Sequence, residues 1–359
     1  MSDKYYAVVM AGGIGSRFWP LSRNAYPKQF HDITGSGKTL IQQTFERLKA
    51  IIPPTNIYVV TNKKYLQLTA EQLPELGPHQ IIGEPKMRNT AACIAYGTHK
   101  IYKKNSEALI VVTPADHLIK NTEKFQQDIQ LALNICEQEP VIMTLGITPS
   151  RPDTGYGYIQ FKEIKKKLPY QKVVTFTEKP NLELAQSFLH SKEFVWNSGI
   201  FIFGAFTMLE AIRKYLPDTY ELFHNIKKYL DTDLEETKIE DIYNQLKSIS
   251  IDFGVMEKAN NVYVICTEFG WSDLGTWTSL YEELAKDANG NATIGNAIYY
   301  DSYSNLVNSV SEKLVVLKNV DNLIIVDTGD VLLICPKDKE QSIREIVSDL
   351  THTRKSPLV

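Results

Sequence analysis

Short apolar runs alternate with stretches whose apolar residues recur every three or four positions. Residues 6–10 form an apolar run of strand length. Residues 40–48 carry Leu40, Ile41, Thr44, Phe45 and Leu48 at the spacing of one helical face. Residues 57–61 read as a strand, and 90–104 as a helix with Thr90 as its N-cap. Residues 109–113 are a wholly apolar strand, 123–137 an amphipathic helix and 141–147 a further strand. Strand–helix units of this size predict an α/β fold, Rossmann-like, with a mostly parallel mixed sheet covered on both faces.

Beyond residue 155 the pattern changes. Strand runs at 156–161, 173–176 and 199–203 flank one helical stretch, 182–189, and residues 205–246 are mostly helical. Asp287-Ala288-Asn289-Gly290-Asn291 reads as a linker. Past it the chain is β-rich. Residues 323–326 and 331–335 flank Asp327-Thr328-Gly329-Asp330 in the manner of a hairpin, and a last helix is expected over 339–350. The division that follows is a large α/β domain over residues 1–286 and a small β-rich domain over 287–359, with no internal repeat.

Composition narrows the function classes. The chain has 359 residues, 43% of them hydrophobic, and a net charge of −3. The slightly acidic balance argues against nucleic acid as a partner, which needs a basic surface. No apolar run approaches the ~20 residues of a membrane span. The start, Met1-Ser2-Asp3-Lys4, lacks the basic and apolar regions of a secretory leader, so a cytoplasmic protein is expected. Cys93, Cys136, Cys266 and Cys335 lie far apart and read as free thiols in a reducing compartment.

The first strand leads into Ala11-Gly12-Gly13-Ile14-Gly15-Ser16-Arg17-Phe18. Three glycines after a strand let backbone N–H groups approach an anion. The dinucleotide pattern G-x-G-x-x-G fails, because Phe18 stands at its third glycine. Gly37-Lys38-Thr39 mimics the end of a P-loop, but Asp32 stands at the required first glycine. Arg17 and Lys28 add two positive charges to the glycine loop, a combination suited to a triphosphate.

The segment from Gly12 to Phe30, with Trp19-Pro20-Leu21-Ser22 and Pro27-Lys28-Gln29-Phe30, resembles the signature of sugar-nucleotide pyrophosphorylases, in wording close to their mannose-1-phosphate guanylyltransferase branch. Further matches follow in order: Gly83-Glu84-Pro85 with Arg88-Asn89-Thr90-Ala91, Pro114-Ala115-Asp116-His117, Thr154-Gly155-Tyr156-Gly157, Glu178-Lys179-Pro180, Trp196-Asn197-Ser198-Gly199, Ser250-Ile251-Asp252-Phe253 and Trp271-Ser272-Asp273-Leu274-Gly275. Ala92 stands where the family often has Pro, and Phe253-Gly254 where it often has Tyr-Ala.

The resemblance implies a GT-A-like nucleotidyltransferase core, β-helix-like coils over 287–359, GTP and mannose 1-phosphate as partners, and a homodimer. It implies no isomerase activity, since the chain stops before the isomerase domain fused to some members. Ala11, Gly12, Gly13, Gly15, Ser16, Arg17, Lys28, Glu84, Pro85, Arg88, Asn89, Thr90 and Asp116 are the implied nucleotide-binding residues. Gly155, Tyr156, Gly157, Glu178, Lys179, Asn197 and Gly199 are those for the sugar phosphate. Asp116, just past an apolar strand, and the distant Asp273 are the implied Mg²⁺ ligands, since that ion takes one or two carboxylates with phosphate oxygens and water. Arg17, Lys28, Asp116, Lys179 and Asp273 are the expected catalytic groups. His117 reads as structural. The alternatives are a UDP- or dTDP-glucose pyrophosphorylase and a non-catalytic sugar-nucleotide sensor.

Overall fold

The computed structural model describes residues 2–162, 168–353 and 358–359. Its contacts separate two compact units. The first comprises residues 1–12, 44–115 and 119–271; the second comprises 13–43, 116–118 and 272–359.

The first unit is built on a nine-stranded sheet. Its strands are β1 (Tyr5–Ala11), β2 (Ile57–Asn62), β3 (Ile81–Glu84), β4 (Leu109–Pro114), β5 (Ile142–Ile147), β6 (Gly157–Lys162), β7 (Gln171–Glu178), β8 (Phe194–Gly204) and β9 (Val262–Thr267). They run in the order β3-β2-β1-β4-β8-β5-β9-β7-β6. The first four are parallel, as the strand–helix alternation predicts. β8 is antiparallel to both β4 and β5, and β6 pairs antiparallel with β7 and β8. This second half is what makes the sheet mixed.

Continuous burial of β1, β2 and β4 follows from helices packing on the sheet. Helix Asn89–Lys104 lays Ile94 and Tyr96 into a core with Val8, Val60, Ile110, Phe223 and Tyr243. Gly97 permits that approach, because a Cβ there would stand 3.0 Å from Val8. Helix Thr122–Gln138 is capped by Asn121, whose Oδ1 accepts from the Lys124 N–H at 2.9 Å. The expected cap at Thr90 is not formed. The helix begins at Asn89, and the Thr90 hydroxyl accepts from the Ile251 N–H at 2.8 Å, a tertiary partner that local pattern does not reveal.

The second unit contains β10 (Ala292–Ile294), β11 (Ala297–Tyr300), β12 (Leu306–Ser309), β13 (Val315–Lys318), β14 (Leu323–Asp327) and β15 (Leu332–Pro336). β10, β12 and β14 stack in parallel, β11 and β13 pair in parallel, and β14–β15 is the expected hairpin. Leu306 pairs with Ile324 and Ala297 with Val315, the same offset in both ladders. The β10–β12 ladder has a shorter offset, Ala292 pairing with Leu306, so the strands stack as coils of unequal length. The last helix starts at Ile343, later than expected, after a 3₁₀ segment at Lys337–Ser342.

The core of this unit joins Phe18, Trp19 and Leu21 to Trp277, Ile324, Val326, Leu333 and Ile343. The Phe18 and Trp277 rings lie 4.8 Å apart. Arg23 grips Asp330 with both terminal nitrogens at 2.7 Å, and Trp19 Nε1 donates to the Leu358 carbonyl at 2.8 Å. The glycine-loop segment and the C-terminal coils thus share one core.

Candidate active site

In the second unit the loop is shaped around Lys28. Gly15 has φ 74° and leads into a 3₁₀ turn at Ser16–Phe18. A Cβ on Gly15 would stand 2.6 Å from Lys28 Cβ, so this glycine serves both the left-handed turn and the close approach. The Lys28 N–H donates to the Ile14 carbonyl at 3.2 Å, which seats the lysine beneath the loop.

Lys28 is only 3% exposed. Its ammonium donates to Asp116 Oδ2 at 2.9 Å and to the Asp273 carbonyl at 2.7 Å, with the Phe18 ring 5.5 Å away. One ammonium therefore links Lys28 to two further expected catalytic residues, Asp116 through its carboxylate and Asp273 through its main-chain carbonyl. Burial would raise the Asp116 pKa. The charges of Lys28 and His117 and the Lys28 hydrogen bond outweigh it and hold the carboxyl below its ordinary value. Asp273 Oδ1 accepts from the Gly275 N–H at 2.8 Å. Between them the fully buried Leu274 is held at φ 45°, a strained conformation for a leucine.

Arg17 is half-buried, and among the described residues its Nε is buried without a hydrogen-bond partner. Burial and then the nearby Arg344 lower its pKa, while Asp273 and Glu340 oppose that shift. A buried guanidinium N–H with nothing to donate to is matched by an anionic ligand. Arg344, on helix Ile343–Thr351, is a neighbouring cation that sequence reasoning did not single out.

In the first unit, Glu84 ends β3 and is buried. Burial pushes its carboxyl up to about 7, against the Tyr243 hydroxyl, which donates to Oε1 at 2.8 Å. Gly12 faces it: a Cβ there would stand 3.9 Å from Glu84 Oε2. Arg88 Nε donates to the Tyr243 carbonyl at 2.8 Å. Pro85 lines a separate cavity with Tyr96, Lys100 and Glu235.

A cavity of about 330 Å³ brings together Gly157, Glu178, Lys179 and Asn197, four of the residues expected at the sugar phosphate. A Cβ on Gly157 would stand 2.6 Å from Glu178 Oε2, so any side chain there would displace that carboxylate. Lys179 sits at φ 46° and its ammonium pairs with Glu178 Oε1. The Gly199 N–H donates to Asn197 Oδ1 at 3.1 Å. Gly155 closes a turn by donating its N–H to Asp153 Oδ1 at 2.8 Å. Tyr156 joins an aromatic group with Trp196 and Trp271, at 5.0 and 5.1 Å, with Arg151 5.3 Å from the Trp196 ring. Asn89, expected at the nucleotide, lines this cavity too, beside Ser250, Asp252 and Phe253.

A glycine loop with a buried lysine tied to two aspartates has the makings of phosphate chemistry in which no side chain need attack. The task there is to neutralise and position charge. Fold and site together define a nucleotidyltransferase.

Comparison with known proteins agrees. The Nucleotidyl transferase family matches residues 6–290, and the MannoseP isomerase/GMP-like beta-helix domain matches 295–350. A mannose-1-phosphate guanylyltransferase of Salmonella montevideo is 40% identical over 96% of this chain and 73% of its own length. The alginate biosynthesis protein AlgA of Pseudomonas aeruginosa is 38% identical over 96% and 71%. A crystal structure from Thermus thermophilus, described as a mannose-1-phosphate geranyltransferase, superposes with a TM-score of 0.87 at 33% identity, covering 97% of this chain and 99% of that one. The chain belongs to the nucleotidyl transferase family, in its mannose-1-phosphate guanylyltransferase branch.

Proposed function

We propose that this chain transfers GMP from GTP to α-D-mannose 1-phosphate, giving GDP-mannose and diphosphate. The observation that carries the chemistry is the buried Lys28 ammonium shared by Asp116 and Asp273 below the glycine loop. A phosphate monoester has a second pKa near ~6, so the sugar phosphate is largely dianionic at neutral pH and needs no general base. One of its oxygens attacks the α-phosphorus in line. The new P–O bond forms as the bond to the bridging α–β oxygen breaks, and that oxygen leaves with the diphosphate.

Nucleotidyltransferases of this family generally use a divalent metal. The donor set fits Mg²⁺. Asp116 is held ionised, and Lys28 also donates to the Asp273 main-chain carbonyl, which keeps a second carboxylate residue beside it. Asp116 and Asp273 would hold the ion, which when bound would offset charge on the phosphate oxygens. Arg17, with its undirected N–H, supports the departing diphosphate, which gains charge as it leaves. The segment from Glu84 to Thr90 faces guanine in this reading. Glu178 and Asn197 meet sugar hydroxyls, and Lys179 offsets the attacking phosphate. The reading also makes the enzyme a cytoplasmic homodimer; among the described residues no helix is long and apolar enough to cross a membrane.

The test is diphosphate release across a matrix of nucleoside triphosphates and sugar 1-phosphates, with Mg²⁺ and with chelator. GTP with mannose 1-phosphate should give the highest kcat/KM, and chelator should abolish it. Equal kcat/KM for GTP and ATP would refute the guanylyl assignment. Release from no pair would refute transfer altogether.

A further inference from the structure

Ser250-Ile251-Asp252-Phe253 has no role in the chemistry above, yet three of these residues line the sugar-side cavity. Asp252 opens a turn, Asp252–Met256, wound in π-helical geometry, with the Glu257 N–H donating to the Asp252 carbonyl at 2.9 Å. Such turns are rare and recur at functional sites. This one buries Gly254, Val255 and Met256 and leaves Asp252 and Phe253 at the cavity.

One Asp252 oxygen, Oδ1, accepts from Asn197 Nδ2 at 2.8 Å, while Asn197 Oδ1 accepts from the Gly199 N–H at 3.1 Å. Both ends of the Asn197 amide are thereby fixed, and the network decides which end carries the nitrogen. An amide has two N–H donors and a carbonyl with two lone pairs, so one N–H and one lone pair remain for a ligand. Burial raises the Asp252 pKa and the Asn197 bond opposes it; Glu178 raises it further, so the two carboxylates sense each other across the cavity. Acceptors on Asp252 and Glu178, a directed amide and the half-exposed Phe253 ring suit a ligand with adjacent hydroxyls and a C–H face.

We infer that Asp252 is a specificity-determining residue for the sugar: one carboxylate oxygen fixes the Asn197 amide, and the other receives a ring hydroxyl. This rests on the proposed function. The assignment predicts that Asp252 governs choice among hexose 1-phosphate epimers and leaves GTP alone. A lost acceptor weakens the correct sugar more than an epimer that never used it, a difference of roughly 10- to 100-fold.

The experiment compares wild type, Asp252→Asn, Asn197→Ala and the double variant. It measures kcat/KM for mannose 1-phosphate and glucose 1-phosphate, KM for GTP, and the thermal midpoint. Asp252→Asn should lower the mannose-to-glucose ratio by roughly 10-fold or more with GTP KM unchanged. The double variant should lose less than the two single losses combined, because the residues act as a unit. A ratio within about twofold of wild type in folded Asp252→Asn would overturn the inference, as would a matching loss of GTP affinity. Should that variant not fold, Asp252→Glu keeps the charge and displaces it. It should shift the same ratio, and an unchanged ratio overturns the inference equally. A wild type inactive on mannose 1-phosphate with every nucleotide refutes the proposed function instead, so the two failures are told apart.

Discussion

Replacing Glu84 by Gln tests the buried carboxyl at the end of β3 through stability alone. In the unfolded chain this carboxyl ionises near its ordinary 4.5; in the folded protein burial pushes it up to about 7. The folded state therefore binds the proton more tightly. The associated stability is fully present below pH 4.5 and is lost as pH rises towards 7. At 1.36 kcal/mol per unit the whole loss is at most about 3 kcal/mol, an order-of-magnitude figure. His99 acts in the opposite sense. Burial lowers it from 6.5 to about 4, so its contribution is full above 6.5 and is lost as pH falls towards 4. In the wild type the two slopes oppose each other over pH 4.5–6.5 and conceal one another. Glu84→Gln keeps an oxygen for the Tyr243 hydroxyl and removes one slope. Its stability relative to wild type should rise by about 2–3 kcal/mol between pH 5 and pH 8. Urea midpoints and m-values for both proteins at both pH values give that double difference, in which His99 cancels. A double difference below about 0.5 kcal/mol would refute the reasoning, because the carboxyl would then titrate as an ordinary surface group.

Four further outcomes are expected. Asp116→Asn and Asp273→Asn should each slow turnover by roughly two to three orders of magnitude at saturating Mg²⁺, and near-wild-type kcat in either would sink the paired-carboxylate reading. Arg17→Ala should depress kcat more than it raises the KM for mannose 1-phosphate; a change confined to that KM would move Arg17 to the other substrate. Gly15→Ala places a Cβ 2.6 Å from Lys28 at φ 74°; it should cost about 1–2 kcal/mol in chemical denaturation and lower kcat by displacing the lysine. Lys179→Met should raise the KM for mannose 1-phosphate and slow turnover while sparing GTP affinity, and the reverse pattern, read by separate GTP titration, would contradict the division of labour.

Periodicity served best where local pattern and tertiary environment agree. The run at 109–113 is β4, Leu109–Pro114, and the helix read at 123–137 is Thr122–Gln138. The strand order in the mixed second half of the sheet was not legible, because it depends on pairings between distant segments. The C-terminal coils were expected only through the resemblance, because each contributes strands of just three to five residues and periodicity alone shows little. Their signal lay in the corners. Asp301 and Asn319, like Ser304 and Asn322, adopt positive φ at the spacing of the ladders. At the site, residue types and position nominated Lys28 beside the glycine loop, and the resemblance nominated Asp116 and Asp273. They did not reveal that Lys28 is buried, because a lysine reads as surface until its neighbours are known. The φ of 65° at Asn89 and its place on the cavity follow from the fold, not from its motif.

The shared core of residues 13–43 and 272–359 bears on how this sequence can be recombined. A chimera that takes the first 290 residues from one relative and the coils from another would break the partnership of Arg23 with Asp330 and leave Phe18 and Trp19 against foreign side chains. The glycine loop and the distant C-terminal segment are therefore a matched pair. Grafts and shuffled libraries that exchange both together should retain fold and turnover. Those that divide the pair should fail first at the loop, far in sequence from the junction.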